Sequence, residues 1–150
     1  MSLESRVMEE MKAAMKAKDT VTLESLRAIK SALLLAKTDK GGGAALSEAD
    51  EISLVQKLVK QRKDSAAIYQ EQGREDLAGP ELAQVAVLER FLPAQLSETE
   101  IEQAVAAIIS KLGASGMQDM GKVMGAATKE LAGAADGKAI SAVVRRQLAR

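Results

Sequence analysis

The sequence predicts an all-α protein, with an N-terminal four-helix region over residues 1–92 and a C-terminal three-helix domain over residues 93–150. Three observations carry this. Apolar residues recur at helical spacing along most of the chain and nowhere alternate convincingly with period two. Serine–acid pairs three residues apart, Ser47 with Asp50 and Ser97 with Glu100, mark two helix starts. Glycine and proline fall between the periodic segments, and Pro93-Ala94-Gln95-Leu96 is a short, restrained connector that marks the boundary between the halves.

Taken in order, Leu3, Val7, Met11, Ala14 and Met15 define a first amphipathic helix, broken near Asp19, which caps the second. The second helix runs to about Lys37. Asp39-Lys40-Gly41-Gly42-Gly43 reads as a flexible loop, and Ser47 with Asp50 opens a long third helix from Glu48 to about Gln72. Gly73 suits its left-handed end. A fourth helix is expected from about Gly79-Pro80, with proline in the first turn, to Leu92-Pro93. The fifth starts at Ser97 and buries Ile101, Val105, Ile108, Ile109 and Leu112. Gly113-Ala114-Ser115-Gly116 turns the chain, and Ser115 with Gln118 repeats the capping signature for the sixth. Gly133 stops the sixth helix; Asp136 caps the seventh, whose apolar face is Ile140, Val143, Val144 and Leu148.

Composition narrows the chemistry. The 150 residues include no histidine and no cysteine. That removes Ser-His-Asp and Cys-His machinery, disulfides and the usual zinc, haem and iron–sulfur ligands. The acidic residues converge on no magnesium or paired-carboxylate site, so no catalytic residue, metal or cofactor is indicated. Tyr69 and Phe91 are the only aromatic residues, too few for base stacking as a main binding mode. Formal charge is zero overall. Such a chain lacks the long-range field of a non-specific nucleic-acid binder, so any RNA contact must come from a local cluster or through a partner. No apolar run approaches a membrane span or a secretory leader, and a soluble, cytoplasmic protein with no membrane partner is expected.

Two clusters of residues stand out. In the N-terminal half, Arg62 projects from the arc of Val55, Leu58, Val59, Ala66 and Tyr69. Arg27 and Lys30 lie among Leu23, Leu26, Leu33 and Leu34, and Glu89 lies among Leu82, Val85, Leu88 and Leu92. Three readings are open: an ion-pair and hydrogen-bond cluster of Glu89 with these cations, a basic pocket that takes an anion, or long stems that snorkel past the core edge. Lys57, Lys60 and Asp64 fall on the opposite, solvated face of the third helix.

The second cluster is the sixth helix. Met120, Val123, Met124, Ala127 and Leu131 form an apolar stripe, while Gly121, Gly125, Thr128 and Ala132 share a neighbouring face almost without side chains, flanked by Lys122 and Lys129. An interior glycine costs roughly 1 kcal/mol relative to alanine, so something is expected to approach the backbone there. One reading is tight packing of another helix. The other gathers Lys122, Lys129, Lys138, Arg145 and Arg146 around the strip as a phosphate-binding surface, with backbone amides at the start of the last helix adding to it and Asp136 opposing them.

Several stretches carry a resemblance: Leu26-Arg27-Ala28-Ile29-Lys30, residues 56–65 from Gln56 to Ser65, Gly73-Arg74-Glu75-Asp76-Leu77-Ala78, residues 87–93 from Val87 to Pro93, Gln95-Leu96-Ser97, and the glycine-bearing segment from Asp119 to Lys138. With these the chain resembles the GatB/YqeY family from about residue 20 onward, and its small stand-alone members in particular. Where the family usually reads glycine, a basic residue, alanine, aspartate, glycine, lysine, this chain has Gly133-Ala134-Ala135-Asp136-Gly137-Lys138, and Ala134 leaves that turn without a positive side chain. The resemblance implies a C-terminal domain similar to the tail of the B subunit of tRNA-dependent amidotransferases. The function it implies is a non-catalytic module associated with tRNA or a tRNA-handling enzyme, through Gly121, Lys122, Gly125, Lys129, Lys138 and Arg145. The label that family likeness carries is carbon–nitrogen ligase with glutamine as amide donor, the least expected of the readings. The competing reading is a protein–protein adaptor that takes a partner helix in an apolar groove between the halves, with Met117, Met120 and Met124 as adaptable contacts.

Overall fold

Helix starts in this chain are set by short polar side chains that reach back to backbone amides. In the computed structural model, which describes residues 2–39 and 45–149, the Ser2 hydroxyl accepts from the Ser5 amide at 3.1 Å and opens α1, Leu3–Ala17. Lys18 ends it in the left-handed conformation (φ 56°), a position the sequence fills without glycine. Asp19 then opens α2, Thr20–Asp39, accepting from the Thr22 hydroxyl at 2.6 Å and its amide at 3.2 Å. These two bonds hold the Asp19 carboxyl below the usual carboxylate range. Apart from Asp39, which ends α2, the expected glycine loop lies outside the described residues.

Ser47 and Asp50 close a reciprocal capping box at the start of α3, Glu48–Glu71, and Gly73 (φ 71°) ends the run in the left-handed region as expected. α4 spans Glu75–Glu89, so it starts earlier than Gly79-Pro80 and stops before Leu92. The proline sits inside the helix and forgoes one backbone bond. It is tolerated there because the preceding residue, Gly79, has no Cβ to meet the proline ring. The first turn is held instead by Glu75 and Asp76, which complement the helix dipole.

The chain divides into two compact units, Met1–Leu92 and Pro93–Arg150. In the first, α2 packs on α1, α3 and α4, and α3 packs on α4. Leu26 and Ile29 of α2, Val55 of α3 and Leu88 of α4 are completely buried in its core. Phe91 closes one end, with the Arg6 guanidinium 4.9 Å from its ring centroid. In the second unit, α5 (Glu98–Leu112), α6 (Met120–Glu130) and α7 (Gly137–Leu148) pack pairwise around Val105, Val123, Ala127 and Val144, all fully buried. Among the described residues there is no strand, and no helix is long and apolar enough to cross a membrane.

The start of α5 yields a local prediction. Ser97 accepts from the Glu100 amide at 3.2 Å while Glu100 accepts from the Ser97 amide at 2.9 Å. The Ser97 amide, then its hydroxyl, hold the Glu100 carboxyl below its ordinary range. A depressed folded pKa stabilises above the unfolded value of about 4.3 and is lost as pH falls through the folded one. Melting curves of Glu100→Gln and the parent chain are therefore expected to differ at neutral pH and to converge in acid. Ser97→Ala should cost about 1 kcal/mol at neutral pH. A parent-to-Gln difference that grows on acidification would contradict the assignment.

Candidate functional site

α6 owes its position to one face. Val123 and Ala127 are buried, Met120 and Met124 half-buried, and Leu131 closes the stripe just past the last turn. The start differs from the expected Ser115–Gln118 box. Asp119 accepts from the Ser115 amide at 3.0 Å, and a short 3-10 turn, Met117–Asp119, feeds the helix. The shorter acid side chain, one residue further on, accepts from the amide that the Gln118 side chain was expected to serve.

The remaining face is open. Gly121, Gly125, Thr128 and Ala132 are all exposed, and a Cβ built at either glycine would meet nothing within 4 Å. Neither glycine has the positive φ that excludes other residues. The reading in which a neighbouring helix packs tightly over Gly121 and Gly125 is therefore corrected: neither α5 nor α7 covers these two glycines, because the buried stripe of α6 already supplies its contacts with both helices.

Lys122 and Lys129, seven residues apart, stand on the same side of the strip, about 10 Å apart along the helix axis. The Lys122 ammonium lies 3.4 Å from the Leu112 carbonyl, where it complements the C-terminal end of α5. Lys129, Lys138 and Arg145 are exposed and form no ion pair among the described residues. Arg146 is committed elsewhere, 2.7 Å from Glu102 and 3.6 Å from Glu98. At the start of α7 Asp136 accepts from the Ala139 amide at 2.7 Å. A carboxylate thus fills the anion position, and backbone amides there do not add to the cationic surface.

The turn between α6 and α7 is tied down by residues that sequence reasoning passed over. Gln95 donates to the Gly133 carbonyl at 2.7 Å and the Leu96 amide to the Ala134 carbonyl at 2.8 Å. Gly133 takes φ 80°, which glycine allows without strain. The pairing of Gln95-Leu96 with the turn spans 38 residues, so no local pattern in the sequence pointed toward it.

The expected cluster around Glu89 is not formed. Arg62 donates through Nε to Gln84 at 2.8 Å and through Nη1 to the Leu58 carbonyl one turn back at 3.2 Å. Gln84 in turn lies 3.4 Å from Glu24. Arg27 and Lys30 are exposed, and among the described residues neither they nor the half-buried Glu89 makes an ion pair. A neutral amide satisfies the guanidinium without burying a second charge, which removes the need for a carboxylate at that place. Lys60 and Asp64 pair at 3.0 Å on the solvated face of α3, as expected. In the turn before α4, Arg74 holds Asp76 through two bonds of 2.9 and 3.0 Å; this contact keeps the Asp76 carboxyl low.

Fold and surface together define a small all-helical protein whose C-terminal unit presents a helix face nearly bare of side chains, with exposed cations beside it. The chain belongs to the YqeY-like family: the family described as Yqey-like protein matches residues 4–148. It is similar to the altered inheritance of mitochondria protein 41, mitochondrial, of Clavispora lusitaniae, with 28% identity over 116 residues covering 76% of this chain. It is also similar to the E subunit of the glutamyl-tRNA(Gln) amidotransferase of Thermococcus gammatolerans, with 32% identity over 103 residues covering 66% of this chain. The matched regions span 66% of the first relative's length and 16% of the second's.

Proposed function

We propose that this chain is a non-catalytic binding module that associates with tRNA or with a tRNA-handling enzyme, the reaction taking place elsewhere. The observation that carries the reading is the open strip of α6. Gly121 and Gly125 sit in a helix that gains nothing from them internally, and exposed Lys122 and Lys129 stand beside them. Main-chain atoms without intervening side chains admit close approach by a backbone, and lysines near exposed backbone suit phosphate. Lys138 and Arg145 add cations in the same three-helix unit. Distant similarity to an amidotransferase component named for a tRNA substrate supports tRNA as the nucleic acid to test. The near-neutral chain has no general phosphate affinity to mask such a local surface.

The test is filter binding of unfractionated tRNA across a series of potassium chloride concentrations. Contact through about three cations predicts a log–log salt slope of roughly −2 to −3. The triple variant Lys129→Glu, Lys138→Glu, Arg145→Glu is expected to lose at least about tenfold in affinity and to flatten the slope. Each of these side chains is exposed and unpaired among the described residues, so folding is expected to survive. Direct tRNA binding is rejected if affinity is indifferent to salt. If tRNA fails to bind and no tRNA-handling enzyme is crosslinked to the chain in extract, the whole reading falls.

A further inference from the structure

Between α2 and α3 runs an open groove of ≈ 610 Å³, wholly within the N-terminal unit. Ala28, Ala32 and Ala36 line it from α2, and Leu54 and Leu58 line it from α3. Alanines spaced four apart form a shallow channel of the kind into which the side-chain ridge of another helix packs. Leu35 stands on the rim at 68% exposure, the highest of any large apolar residue described. From Ala28 to Asp39 the lining extends about 16 Å, the length of three helical turns.

Charge gives the groove a direction. Asp39 and Asp50 lie at the end nearest the α2–α3 connection, and Lys57 lies two turns along α3 from Asp50. Neither Asp39 nor Lys57 has an ion-pair partner among the described residues. A helix is most stable with acids in its first turn and bases in its last. Such a helix matches Asp39 and Lys57 in one orientation only, with its basic C-terminal turn at Asp39 and its acidic N-terminal turn beside Lys57.

The geometry points to this groove as the docking site of an amphipathic partner helix of about three turns, acidic at its start and basic at its end, lying parallel to α2. The lining carries no aromatic residue on which a base or a flat ligand stacks, and the exposed Asp39 carboxylate repels a phosphate backbone. The surface is separate in chemistry from the cationic strip of α6, so the two fail independently.

A synthetic peptide of about fourteen residues tests it, with leucines at helical spacing, glutamates in the first turn, lysines in the last and a nitroxide at the C-terminal end. Titrated into the full 15N-labelled chain, it is expected to shift amides of Ala28, Ala32, Ala36 and Leu54. Nitroxide broadening should concentrate around Leu35 to Asp39 and spare Gln61. Leu35→Lys is expected to weaken binding about tenfold, the loss of one leucine contact. Asp39→Lys should weaken it several-fold. Both side chains are exposed, so an unchanged amide spectrum of each free variant is expected. No shift at about 1 mM peptide, equal binding by Leu35→Lys, or broadening at the Gln61 end overturns the proposal. So does concentration-dependent self-association abolished by Leu35→Lys, which makes a second copy the occupant, or the same amides shifting with tRNA instead of peptide.

Discussion

Replacing both Gly121 and Gly125 by alanine is expected to raise the melting temperature and at the same time to weaken capture of tRNA. The stability half follows from geometry. A methyl group at either position meets nothing within 4 Å, and both backbones are ordinary helix. Alanine then removes the entropic cost of glycine, about 1 kcal/mol at the interior Gly125 and less at Gly121 in the first turn. For a unit of this size that corresponds to a rise of at least about 5 °C. The binding half follows from the proposed function. Two methyl groups standing on the strip hold a ligand backbone farther from the helix, and an affinity loss of about tenfold or more is expected in the filter-binding assay. Thermal melts and binding curves of one double variant measure both. A higher melting temperature with unchanged capture would leave the glycines without a recognition role; a lower melting temperature would mean the strip packs after all.

The largest loss of stability is expected from Leu88→Ala. Leu88 is completely buried on α4, the helix that packs against both α2 and α3, and it shares its cluster with Leu26, Ile29, Val55 and Phe91. Truncation removes its transfer free energy and leaves a cavity between helices that can relax only partly. The expected cost is about 3 kcal/mol, within the range for buried leucine-to-alanine changes. Against a total domain stability of about 5–15 kcal/mol, that lowers the melting temperature of the N-terminal unit by more than about 10 °C. Chemical denaturation monitored by helical circular dichroism provides the value. A loss below about 1 kcal/mol would show that Leu88 is not the keystone its burial implies. Leu82→Ala, at 42% exposure on the same helix, serves as the control and should cost far less.

Local signals in the chain suffice where a side chain acts on its own turn. Ser47 with Asp50, Ser97 with Glu100, Asp19 and Asp136 all form the caps their spacing indicates. Each needs only three residues to meet, and the backbone brings them together regardless of what lies beyond. At α4 the local signal and the helix start differ. Gly79-Pro80 has the look of a helix start, yet glycine before proline is what permits the ring inside the helix, and the acidic pair Glu75-Asp76 marks the true first turn. At Ser115 two acceptors competed for one role, and Asp119 prevailed over Gln118.

Among the candidate functional residues, the grouping on α6 was legible because seven-residue spacing puts Lys122 and Lys129 on one side of a helix wherever that helix sits. The partner of Arg62 was not. A helical pattern identifies a guanidinium on an otherwise apolar arc, but Gln84 and Glu89 both reside on α4, and only the packing of α4 on α3 selects the amide. Gln95 was equally hidden, since its acceptor lies 38 residues away.

By itself, the order of residues determined that this protein is all-helical, which faces of its helices are apolar, and that histidine and cysteine chemistry is absent, because periodicity, capping and composition act within a few residues. Tertiary structure alone decided that the glycine strip is open, that Arg62 answers to an amide, and that α2 and α3 leave a groove between them. Those outcomes depend on which surfaces the packed helices consume, and a helix carries no local record of the neighbour that will cover it.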